Sequence, residues 1–73
     1  MTLQECLRGA REDLALTQGD VARAVGVTRQ AVSQWEGGRA LPPLRRLAAW
    51  ARAVGVEPRR ALELAAMDAM RAI

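Results

Sequence analysis

The 73-residue chain reads as an all-α domain of five short helices, and three observations predict it. Apolar residues recur at three- and four-residue spacing along most of its length, the period of a helix with one inward face. Thr17 and Thr28 stand directly before two of these periodic runs, where a side-chain oxygen can cap a helix start. Glycines and prolines supply the punctuation: Gly26, Gly37-Gly38 and Gly55 stop helices, while Pro43 and Pro58 suit first turns.

Taken in order, the first helix is expected from about Thr2 to Leu14, with Leu3, Leu7, Ala10 and Leu14 inward and Cys6 as a small filler beside them. The second spans about Gln18 to Val25. Thr17 caps it, and Asp20 three residues later makes a shortened capping box. Val21, Ala22 and Val25 face inward, with Ala22 small where a neighbouring helix must come close. Gly26 ends this helix, because glycine accepts the left-handed conformation of a sharp turn. The third, about Arg29 to Glu36, separates Val32 and Trp35, with Ala31 partly, from Arg29, Gln30, Ser33 and Gln34. Gly37 to Pro42 is a loop. A fourth helix, from Pro43 to about Val54, carries Leu44, Leu47, Ala48 and Ala51; Trp50 lies off that stripe, as core edge or subunit contact. The fifth runs from near Pro58 toward Met70, with Leu62, Ala65, Ala66, Ala69 and Ile73 on one face and Leu64 and Met67 on another. No repeat, low-complexity segment or long linker divides the chain, so residues 1–73 form a single domain.

Composition narrows the function. A domain this small buries only about 60% of its unfolded surface, which makes oligomerisation a natural supplement. Cys6 is the only cysteine and histidine is absent, so no intramolecular disulfide, thiolate zinc site or imidazole base can be built. No nucleophile–base pair and no glycine-rich phosphate loop stands out, and an enzyme, a cofactor and a metal are not expected. No apolar run approaches the ~20 residues of a membrane span. Met1-Thr2-Leu3-Gln4-Glu5 lacks the basic start and apolar core of a signal peptide, so a cytoplasmic protein is expected. The net charge is +3, and all eleven cations are arginine, the better residue for paired contacts to phosphate or guanine. Arg29, Arg39, Arg45 and Arg46 gather around the third helix and the loop after it, whereas Glu57, Glu63 and Asp68 lie toward the C-terminal end.

Two amphipathic helices joined at Gly26-Val27, the second opening on long polar side chains, suit insertion into the major groove of DNA. Small Ala22, turn Gly26, core Val32, and Gln18 and Gln30 at two helix starts resemble the helix-turn-helix family of phage repressors and Cro proteins, the Xre type. The resemblance implies a compact five-helix, lambda-repressor-like DNA-binding domain with its helix-turn-helix at about residues 18–36. It covers the whole chain and implies a bacterial or phage regulator of transcription that binds double-stranded DNA.

Base reading is expected from Arg29, Gln30, Ser33 and Gln34. A glutamine amide can donate and accept together against adenine, and Arg29 can pair with guanine or drop onto a phosphate. Gln34 has a second reading as a solvated side chain. Gln18, at a helix start where free amides favour an anion, is expected to hold a phosphate with its side chain and amide, as the family uses a glutamine there. Thr28, Arg39 with main-chain donors at Gly38 and Arg39, and Arg45 are the further phosphate candidates; Arg45 and Arg46 also read as solvated. Arg11 and Glu36 match a largely buried ion pair that, in the family, joins the first helix to the recognition helix.

One recognition helix reads few base pairs, and family members answer with two-fold dimers on palindromic sites. Leu64, Met67, Met70 and Ile73 form an apolar patch that serves either as a homodimer contact or by folding back on the first helix. Repressor, restriction-modification controller and antitoxin roles all suit the chain. The alternative from another class is a protein-binding module, such as an antitoxin-type partner protein engaged through the C-terminal helix. The polar, cationic face of the third helix, without an apolar anchor, favours DNA.

Overall fold

Local chemistry sets the helix starts in the computed structural model, which describes residues 1–71. The helices are α1 (Leu3–Asp13), α2 (Gln18–Val25), α3 (Arg29–Glu36), α4 (Leu44–Ala53) and α5 (Pro58–Arg71). Thr2 and Glu5 close a full capping box on α1: the Glu5 N–H donates to Thr2 Oγ1 at 3.1 Å, and the Thr2 N–H to Glu5 Oε1 at 2.9 Å. Thr17 and Asp20 repeat it on α2 at 3.0 and 2.8 Å. The backbone amides of the two threonines, donating to these carboxylates, hold Glu5 and Asp20 below the usual carboxylate range. On α3 the device is one-sided: Thr28 Oγ1 accepts from the Ala31 N–H at 3.1 Å, and the third residue of the helix is an alanine that cannot reciprocate.

The sharp connection between α2 and α3 rests on Gly26, at φ +84°. The Val27 N–H reaches back to the Ala22 carbonyl at 3.0 Å, and Arg46 Nη1 on α4 donates to the Val25 carbonyl at 2.9 Å. The first adds to the Gly26 N–H already on the Ala22 carbonyl, and the second satisfies a carbonyl that the last turn leaves without a partner. Ala15 turns α1 toward α2 at φ +56°, a conformation costing an alanine about 1–2 kcal/mol.

The five helices enclose one core. Helix α2 packs on α3 and α4, α4 on α5, and α1 on both α3 and α5. Leu3, Leu7, Val21, Val32 and Trp50 are its largest fully buried side chains, and the Trp35 and Trp50 rings lie 5.4 Å apart at 42°. Trp50 is therefore neither core edge nor subunit contact but the centre of the core. It sits three residues after Leu47 and beside Ala51, so the buried stripe of α4 is Leu47, Trp50, Ala51 and Val54.

Three further expectations are corrected. Leu14 is exposed, because α1 ends at Asp13 and the chain turns away there. Leu44 is exposed at the first residue of α4, beyond the edge of the core. Helix α5, wedged between α4 and α1, turns Ala61 and Leu64 into the core and leaves Leu62, Met67 and Met70 outside. Leu64 thus leaves the proposed dimer patch for the core, while Ile73 lies outside the described residues. Asp68, on the same side of α5, accepts the Leu3 N–H through Oδ2 at 2.9 Å and caps α1 from the far end of the chain. Among the described residues no helix is long and apolar enough to cross a membrane.

Candidate nucleic-acid interface

Helix α3 is two-sided. Val32, Trp35 and Glu36 are buried, while Arg29, Gln30, Ser33 and Gln34 are all exposed. The packing of α2 against α3 brings Gln18 beside the outer face, so that Gln18, Arg29, Gln30 and Ser33 line one shallow depression. Four residues from two helix starts thereby share one surface of mixed donors, acceptors and positive charge. Gln34 is not among the residues lining that depression; it lies further along the exposed side of α3.

A buried carboxylate holds this arrangement. Arg11 donates from Nε to Glu36 Oε2 at 2.7 Å and from Nη2 to Glu36 Oε1 at 3.1 Å. Its Nη1 reaches the Leu16 carbonyl at 2.8 Å. The two side chains are only 12% and 4% exposed, so water screens the pair poorly. The hydrogen bonds it donates to Glu36 raise the Arg11 guanidinium pKa above its ordinary value. A third donor joins them: Gln18 Nε2 lies 3.0 Å from Glu36 Oε1. One carboxylate at the end of α3 therefore grips α1 through Arg11 and the first residue of α2 through Gln18, while Arg11 also holds the connection before α2.

This changes what Gln18 can offer. One of its two amide hydrogens is spent inward on Glu36. The outward anion-binding capacity at this helix start rests mainly on the backbone. The capping box uses the Asp20 N–H and the Val21 N–H bonds the Thr17 carbonyl, leaving the amides of Gln18 and Gly19 as the open donors of the first turn. At α3 the Ala31 and Val32 amides are likewise engaged, leaving those of Arg29 and Gln30. Thr28 Oγ1 is occupied as an acceptor, so only its hydroxyl hydrogen remains for a phosphate.

The loop after α3 departs from expectation. Main-chain donors at Gly38 and Arg39 were expected to face a phosphate. Instead the Gly38 N–H bonds the Trp35 carbonyl at 3.2 Å and the Arg39 N–H bonds the Gln34 carbonyl at 2.9 Å. Both close the end of α3, with Gly38 at φ +72°, because its last carbonyls need partners inside the chain. Gly38 thus shapes the loop rather than donating outward, and Arg39 has only its exposed side chain to offer.

Arg8, Arg11, Arg23 and Arg71 all have carboxylate partners. Among the described residues, no carboxylate lies within ion-pair distance of Arg29, Arg39 or Arg45. Arg46 is committed to the end of α2, which removes it from the free cations of this edge. Sequence reasoning missed the Gln18–Glu36 bond and the open amides. The amides follow from helix ends in general, but an 18-residue separation signals nothing about the bond. A family model described as Helix-turn-helix matches residues 7–60, a span that contains every residue of this surface. No curated protein matches the chain.

Proposed function

The chain belongs to the helix-turn-helix family, a family of DNA-binding regulators, and from that premise we propose that it is a sequence-specific, dimeric transcriptional repressor. The observation that carries this reading is the shared surface of Gln18, Arg29, Gln30 and Ser33, which has no apolar anchor for a protein partner. Arg29 and Gln30 open α3 and read guanine and adenine edges in the major groove, with Ser33 and Gln34 extending the contact one turn along. The backbone amides of Gln18 and Gly19, the Thr28 hydroxyl, and the Arg39 and Arg45 side chains hold phosphates and set the register. Arg11 and Glu36 support the surface from behind.

Dimerisation is proposed through the exposed Met67 and Met70 of α5. A two-fold pair sets the two α3 helices on half-sites about one helical turn apart, roughly 34–36 Å. Selection of binding sites from a random DNA pool tests this reading. The expected result is a palindrome with one-turn spacing, bound with a steep salt dependence that Arg39→Ala makes shallower by about one unit of slope. An unenriched pool with only weak, salt-sensitive binding would overturn it.

A further inference from the structure

A second surface, which shares only Arg45 with the one assigned to DNA, lies between α4 and α5. It is an open groove of about 840 Å³, lined by Leu44, Ala48 and Leu62 between Pro43 and Pro58. Leu44 is 68% exposed and Leu62 37%, so two leucines face water where solvent-side positions of short helices are ordinarily polar. Every charged residue lining the groove is an arginine: Arg45, Arg46 and Arg52. Among the described residues none of the three has a carboxylate within ion-pair distance. No acidic residue lines the groove at all.

We propose that this groove docks an acidic amphipathic helix of a partner protein. The apolar floor takes leucine-type anchors spaced one helical turn apart, as helix-in-groove recognition requires. Arg52 and Arg45 at the rim meet the glutamates or aspartates that flank such anchors, while Arg46 stays bonded to the Val25 carbonyl. Charge decides between this occupant and a second copy of the chain. A two-fold contact is self-complementary and would set each copy's arginines against the other's, with no acidic lining residue to offset them. The proposal does not depend on the DNA reading, because Leu44, Leu62 and Arg52 lie outside the residues assigned to DNA and the test is made without DNA.

The test is a display library of amphipathic helical peptides with leucine at the anchor positions and every outward position varied between glutamate and lysine. The expected winners are glutamate-rich. Arg52→Glu should weaken them at least about tenfold and shift selection toward lysine, and Leu44→Ser should weaken them regardless of peptide charge. Both side chains are exposed, and unchanged melting temperatures for the two variants would establish that folding is intact. Three results would overturn the proposal: no enrichment, winners without an excess of glutamate, or a chain dimer that Leu44→Ser dissociates.

Discussion

The two helix pairs of this domain are built on different physics. Besides the core residues it buries, the α2–α3 pair is tied by polar bonds: Glu36 takes Gln18 within the pair and Arg11 from α1, and Arg46 on α4 closes the end of α2. Its α3 turns a polar face of Arg29, Gln30, Ser33 and Gln34 to solvent. The α4–α5 pair is held by buried apolar surface around Trp50, Ala61 and Leu64, and the groove it leaves outside is lined by apolar residues and arginines. The difference teaches that stability and positioning are separable here. The core supplies the folding energy, and a few buried polar bonds decide where the α3 face points.

Truncating the core should produce the largest effect and sharpen this contrast. Trp50→Ala empties a fully buried site and is expected to cost about 3–5 kcal/mol, a large share of a small domain's stability. The folded fraction should keep its DNA preference. Denaturant melts combined with binding corrected for unfolded protein would check both halves.

Arg11→Ala tests the other side of the comparison. It leaves Glu36 buried with only Gln18 donating to it, and the expected loss is about 3 kcal/mol, toward the lower end for a broken buried pair. Base preference should change less than stability does. An unchanged melting temperature would break the claim that this carboxylate organises α2 and α3.

A smaller effect comes from the caps. Thr17→Ala should cost about 1 kcal/mol through loss of the α2 N-cap. Because Asp20 and Glu5 are held below their ordinary pKa values when folded, their contribution is fully present above the unfolded range of ~4. It disappears as pH falls through the lowered folded values. Melting temperature should therefore drop on acidification below about pH 4, and a variant carrying both Glu5→Gln and Asp20→Asn should show a shallower drop from a lower plateau.

These two regions also differ in how far the sequence exposed them. Caps and turns are local, so Thr17, Asp20, Thr28 and Gly26 announced the α2 and α3 boundaries within a few residues of where they act. Arg11 and Glu36 were legible only through the family resemblance, since nothing local links residues 25 apart. The rotation of α4 and α5 was harder to read. Several apolar residues sit on each helix, and which arc is buried depends on the neighbours it meets. For that reason the pattern places exposed Leu44 on the apolar stripe of the fourth helix and buried Trp50 off it, and leaves open which face of the fifth helix is buried. Asp68 looked like one more acidic surface residue until α5 folded back and set it against the start of α1. The amides of Gly38 and Arg39 were misassigned because the carbonyls they satisfy belong to the end of α3, a claim that outranks an outside ligand.

The most direct test of the account selects binding sites in parallel with the natural chain and with Gln30→Ala. The natural chain should select a palindromic site. The variant should show unchanged melting and half-site spacing, with discrimination lost at one base pair per half-site, about 1–3 kcal/mol there. An identical site selected by both proteins, at the same discrimination, would contradict the assignment of the α3 face to base reading.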